Sequence, residues 1–231
     1  MGKNLLDLEH KLNYYFNDKN LLKKALIHRS YGNEVRKYKN INNERLELLG
    51  DSVLELVVVE YIFKKYKNYN EGSLAKIKSM CVSEPILAEI SRKMKIGNFL
   101  LISKGEELAG GKNRDSILAD AFEAILGAIY LDSNLSEAKD FVLYHLKEKI
   151  DNIEHDENIL DYKTLLQEHV QKEYKFTPEY TVLSESGPDH LKEFIIKVMV
   201  NKNFGIGRAS NKKKAQQLAA KDLYKKMGLK W

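Results

Sequence analysis

The chain of 231 residues holds a single cysteine, Cys81. One thiol excludes an intramolecular disulfide and any zinc centre built from several thiolates, and Cys81 reads as an ordinary small core residue. Only three prolines occur, and no tract is of low complexity. No run approaches the ~18 uninterrupted apolar residues of a membrane span. The opening MGKNLLDLEHKLNYYF lacks the unbroken apolar core of a signal peptide. The expectation is a reducing, cytoplasmic setting with no membrane partner.

What is present is 43% hydrophobic and 31% charged, the mix of a globular chain of one or two domains. The charge is unevenly spread. From residue 158 onward there are 14 Lys+Arg against 8 Asp+Glu, whereas residues 1–157 hold 24 against 25. A near-neutral body with a basic tail suggests a polyanionic partner, although solvated lysine-rich faces share that composition.

Residues 1–150 predict helix after helix. Segments 42–65, 84–94, 116–132 and 136–150 carry apolar residues at three- and four-residue spacing. Ser136 is a candidate N-cap, and KGEELAGGKNRDS, 104–116, reads as a polar loop. The acidic stretch 151–158 is taken as a linker. Beyond it the period changes. A helix over 159–174, with Asp161 a possible N-cap, precedes three strand candidates, 178–187, 192–201 and 204–210. Phe194, Ile196, Val198 and Val200 fall on one strand face. A last helix over 211–228 completes α-β-β-β-α, an α+β domain over 159–228 after a helical one over 1–150.

The anomaly lies in NNERLELLGDSVLELVVVEYIF, 42–63. Glu44, Glu47, Asp51 and Glu55 stand at i, i+3, i+7 and i+11, on one helix face. The row reads either as a solvated face or as a cluster. Apolar residues over nearly the full circumference favour the second and predict a central helix. Asp120 and Glu123 repeat the pattern in SILADAFEAILGAIY. Two such helices packed with acids facing would form a carboxylate cluster. Hard cations such as Mg²⁺ take those oxygens and keep water, which suits phosphodiester hydrolysis.

In the basic domain, Lys212, Lys213 and Lys214 occupy a first helical turn, where the macrodipole disfavours cations. This is either a solvated turn or a phosphate site. SGPDH, ending at His190, is either a hairpin tip or a loop reaching a groove. Thr164, Gln167, Glu168 and Gln171 share a polar helix face able to bond ribose 2′-hydroxyls. Together the three regions would fit double-stranded RNA across minor, major and minor grooves.

At these residues the chain resembles a known family. NNERLELLGDS is similar to the signature segment of bacterial ribonuclease III, and SILADAFEAILGAIYLD to its second catalytic segment. The tail, with GPDH and KKKAQQLAA, resembles a double-stranded-RNA-binding domain. Leu48 stands where the family often has Phe. The resemblance implies an all-α endonuclease domain followed by that α+β domain, in a homodimer. It implies Glu47, Asp51, Asp120 and Glu123 as ligands of Mg²⁺, with Mn²⁺ a substitute. Asp51 and Glu123 would be catalytic, and Glu44 and Glu71 supporting acids. Glu55 receives no role, and no nucleotide cofactor is expected. His28, in LKKALIHRSY, reads as a packed, hydrogen-bonded histidine. The implied products are duplexes with 5′-phosphates and short 3′ overhangs, from precursor ribosomal and messenger RNAs. The residues alone leave open a protein that only holds duplex RNA, or a phosphatase, which would leave the tail domain unexplained.

Overall fold

The computed structural model describes residues 5–152, 161–188 and 192–229. Nine α-helices precede residue 153 among them: α1 Leu5–Leu12, α2 Lys19–Ala25, α3 Arg29–Glu34, α4 Glu44–Lys65, α5 Glu71–Cys81, α6 Glu84–Lys93, α7 Lys104–Leu108, α8 Asp115–Asp132 and α9 Leu135–Asn152. From residue 161 come α10 Tyr162–Tyr174, strands β1 Glu179–Ser186, β2 Glu193–Val200 and β3 Asn203–Ala209, and α11 Lys212–Lys226. The chain divides into two compact units, one around α1–α9 and one around the sheet with α10 and α11; residues 68–73 group with the second.

In the first unit α8 is the central helix. Its residues from Ile117 to Ile129 are buried except Asp120 and Glu123. Burial of each Phe or Leu side chain contributes about 2 kcal/mol, so this helix anchors the unit. α4 lies directly on it because two glycines remove the side chains between them. A Cβ on Gly50 would stand 1.8 Å from the Glu123 carbonyl oxygen, and one on Gly127 2.2 Å from that of Leu46. The approach brings the acid-bearing stretches of both helices to one seam.

Four expectations need correction. α4 is buried on one side only: Leu46, Val53, Leu54, Val57, Val58 and Ile62 face inward, while Leu48, Leu56, Val59 and Phe63 are exposed on another stripe. Circumferential apolarity therefore marks a second surface, not a central position. The cap of α9 is Asn134, whose Oδ1 accepts the Ser136 and Glu137 amides at 2.8 and 3.2 Å. The loop expected over 104–116 contains α7, capped by Ser103 Oγ, which accepts the Glu106 amide at 3.1 Å. Finally, α9 continues through Asn152, into the stretch read as a linker. Asp151 is held there by Tyr61 Oη and Lys65 Nζ, each donating at 2.7 Å; residues 153–158 lie outside the described ones.

The second unit is an antiparallel sheet of order β1-β2-β3 backed by two helices. Phe194, Ile196, Val198 and Val200 point into its core, as the alternation predicts. On β3 the inward positions Gly205 and Gly207 let α11 approach: their Cβ atoms would meet Ala219 and Ala215 carbonyl oxygens at 2.3 and 2.1 Å. Asp161 caps α10 by accepting the Thr164 amide at 3.1 Å. The same carboxylate accepts Gln217 Nε2 at 2.6 Å, and Lys163 Nζ donates to Gln216 Oε1 at 2.8 Å. These bonds tie the start of α10 to α11.

Candidate functional site

The α4–α8 seam gathers carboxylates. Glu47, Asp120 and Glu123 each offer an oxygen, and the three lie within 4.8 Å of one another. All are half-buried. Burial, followed by the charges of Asp51, Asp120 and Glu47, pushes the Glu123 carboxyl up to about 8. Glu47, Asp51 and Asp120 are raised too, with burial the leading cause in each. Asp51 is outside the set of three, yet it is the strongest like charge acting on Glu123.

The donor set fits a hard divalent cation. It is all oxygen, and two ligands facing each other across Mg²⁺ stand about 4.2 Å apart. Crowded acids with raised proton affinity lack countercharge, which such an ion supplies.

The outer acids of the row are engaged otherwise. Glu44 is exposed, accepts Asn42 Nδ2 at 2.7 Å and lies 3.8 Å from the Arg29 guanidinium. Glu55, without a role in the sequence, pairs with Lys78 at 2.6 Å. Glu71 is the exposed first residue of α5 and not one of the three clustered acids. His28 caps α3: its Nδ1 pairs with Ser30 Oγ at 2.8 Å, and burial lowers its proton affinity. The hydrogen bonding is as expected, but the ring is half-buried and not enclosed in the core.

A cavity of about 730 Å³ opens beside Glu47 and Asp120, walled by Arg29, Asn33, Glu106 and Arg114. Arg114 is bound to Glu106 at 2.6 Å.

In the second unit Gln167, Glu168 and Gln171 are exposed along one face of α10, with Thr164 half-exposed at its start. Lys212, Lys213 and Lys214 are exposed on the first turn of α11, which Asn211 caps by accepting the Lys214 amide at 2.8 Å. Lys212 is partly committed elsewhere, 3.1 Å from Glu185 and over the Phe194 ring. His190 lies outside the described residues.

Comparison with known proteins identifies both units. Residues 18–150 match the family described as Ribonuclease-III-like, and residues 162–227 match the Double-stranded RNA binding motif. A protein named Ribonuclease 3 from Fusobacterium nucleatum subsp. nucleatum is 62% identical over 229 residues, 99% of this chain and 98% of the relative.

The chain belongs to the ribonuclease III family.

A Ribonuclease 3 of Clostridium botulinum (strain Alaska E43 / Type E3) is 46% identical, over 96% of this chain and 95% of that protein. The crystal structure of the nuclease domain of ribonuclease III from Campylobacter jejuni superposes with a TM-score of 0.59 at 46% identity, covering 64% of this chain and 96% of that one. The helical nuclease fold and the tail of helix, three strands and helix are those of this family. Among the described residues no helix is long and apolar enough to cross a membrane. Cys81 is buried, and burial pushes its thiol up to about 12, so it stays a thiol.

Arg29, Arg114 and Lys78 are not legible as site residues in the sequence. A lysine or arginine in a lysine-rich chain carries no periodic signal. Arg29 directly follows His28, and Lys78 lies two turns along α5 from Glu71.

Proposed function

We propose that this chain is a Mg²⁺-dependent endoribonuclease that cuts double-stranded RNA as a homodimer in the cytoplasm, leaving 5′-phosphates and short 3′ overhangs. The observation that carries this reading is the trio Glu47, Asp120 and Glu123 within 4.8 Å, on a chain that also bears a double-stranded RNA binding motif. Glu47, Asp51, Asp120 and Glu123 hold the ion, and Mn²⁺ can replace it. Bound there, Mg²⁺ would supply a water acidified towards hydroxide near neutral pH and positive charge for the leaving oxygen.

The protein's part is positioning. Asp51 and Glu123 orient the attacking water towards the phosphorus, with the half-buried seam limiting bulk water. Glu44 and Glu71 act as supporting acids. Thr164, Gln167, Glu168 and Gln171 bond 2′-hydroxyls in one minor groove, His190 reaches a second, and Lys212, Lys213 and Lys214 hold phosphates across the major groove between. The domain that ends with α9 at Asn152 acts in cutting and the domain over 159–228 in holding.

Dimerisation has its own support. Among the described residues there is one such cluster, which would cut one strand, and a duplex has two. Leu48, Leu56, Val59 and Phe63 form an exposed apolar stripe along α4, suited to a second copy. A related Campylobacter jejuni structure is described as having a region involved in dimer formation. Precursor ribosomal and messenger RNAs are the proposed substrates.

The test is a gel of long duplex RNA with purified protein. Mg²⁺ should yield short duplexes with 5′-phosphate ends, EDTA should stop cleavage, and sedimentation should give twice the chain mass. Binding without cleavage at any Mg²⁺ concentration would make the protein a duplex-holding one instead.

A further inference from the structure

A carboxylate cluster repels the backbone it is meant to cut. Glu44, Glu47, Asp51 and Glu55 cover about 16 Å of helix axis, a length occupied by several successive phosphates of a strand. The two inner acids belong to the α4–α8 seam. Each outer acid has a cation from a different helix: Arg29 of α3 stands 3.8 Å from Glu44, and Lys78 of α5 stands 2.6 Å from Glu55. The row is thus acidic in the middle and ion-paired at both ends.

Resting on the nuclease reading above, we propose that Arg29 and Lys78 grip backbone phosphates of the scissile strand on either side of the carboxylate cluster, with Glu44 and Glu55 as their tethers.

Both cations meet the geometric requirements. The Arg29 side chain is 74% exposed, and at 3.8 Å its contact with Glu44 is charge proximity, not a closed hydrogen bond. It borders the cavity that opens beside Glu47 and Asp120, so its guanidinium can turn to a phosphate without disturbing packing. Lys78 is 30% exposed and more tightly held, so its ammonium is pre-positioned at the far end. Arg114, the other cation of the cavity wall, pairs with Glu106 at 2.6 Å, an acid outside the α4 row. This arrangement also gives Glu55 a function, that of aiming Lys78. Each cation offers charge-assisted hydrogen bonds to a phosphate.

The test uses the full chain, with Arg29→Ala, Lys78→Ala and Lys78→Arg made singly. Duplex-RNA binding is measured against salt in a Glu123→Gln background, and single-turnover cleavage against RNA and Mg²⁺ concentration without that change. Each alanine variant should weaken binding about threefold to tenfold and flatten the salt slope by about one. Half-saturating RNA should rise while half-saturating Mg²⁺ stays put, and Lys78→Arg should restore binding and slope. A wild-type salt slope accompanied only by a lower melting temperature would assign the pairs to holding α3 and α5 on α4, and overturn the proposal. So would a rise in the Mg²⁺ requirement at unchanged RNA affinity. Since binding is read without turnover, absence of cleavage in the parent chain would sink the nuclease reading separately.

Discussion

The carboxylates of the first unit crowd a half-buried seam between α4 and α8, whereas Lys212, Lys213 and Lys214 stand in solvent on the first turn of α11. Both groups hold like charges close together, and both oppose the stability of the element that carries them. The seam does so in low dielectric, where Glu123 is driven up to about 8 by burial and its neighbours. The lysines do so in water, against a helix dipole worth a few tenths of a kcal/mol per charge. A buried cluster fixes ligand geometry and demands a counterion. An exposed one tolerates many geometries and is screened by salt. Chemistry at a single phosphorus suits the first, and holding any duplex sequence suits the second.

The largest expected effect breaks the buried side. Glu123→Gln removes a ligand and should lower cleavage about a thousandfold, the equivalent of several kcal/mol of charge stabilisation, while duplex binding survives. The same change should stabilise the metal-free protein. With its proton affinity raised from 4.5 to about 8, folded Glu123 holds a proton that the unfolded chain has released. Stability therefore falls as pH rises through that window and is lowest above it. Glu123→Gln should flatten this slope and raise the melting temperature at pH 8.5. A steeper slope, or cleavage at the parent rate, would remove Glu123 from the cluster.

Next comes the packing that makes the seam. Gly50→Ala would put a methyl group 1.8 Å from the Glu123 carbonyl oxygen, so α4 and α8 must separate. Overpacking of this kind costs about 3 kcal/mol, to be read by denaturant unfolding. Cleavage should fall with it because Glu47 and Glu123 sit on opposite sides of the widened seam. Full activity in a destabilised variant would show that the cluster tolerates a looser fit.

This seam also marks what the sequence could and could not reveal. The phase of Glu44, Glu47, Asp51 and Glu55 was readable because a helix has a fixed period, and so was the alternation of Phe194, Ile196, Val198 and Val200. Asp120 and Glu123 were readable as acids in an apolar helix. That the two acidic stretches meet depends on Gly50 and Gly127, whose meaning appears only when a second backbone lies against them. The exposed stripe of Leu48, Leu56, Val59 and Phe63 was misread as burial because apolarity does not say what covers a surface. Asn134 displaced Ser136 as a cap because neighbouring polar residues can each cap, and packing chooses between them. Lys78 and Arg29 left no periodic trace, since ion pairs between helices have no spacing rule.

The smallest expected effect tests the exposed side. Lys213→Ala with Lys214→Ala should weaken duplex binding about tenfold near physiological salt. The dependence of log affinity on log salt should flatten by about two, one for each phosphate that is no longer neutralised. Half-saturating Mg²⁺ should stay unchanged. Unlike the seam, this site should surrender almost nothing in fold stability. Removing two cations from a helix N-terminus relieves the dipole by less than about 1 kcal/mol, so the melting temperature should rise slightly or stay. Asn211 still caps the helix and Lys212 still faces Glu185, so the turn itself is preserved. An unchanged salt slope would leave Lys213 and Lys214 as solvated residues, and the polyanion contact would then rest on α10 and Lys212.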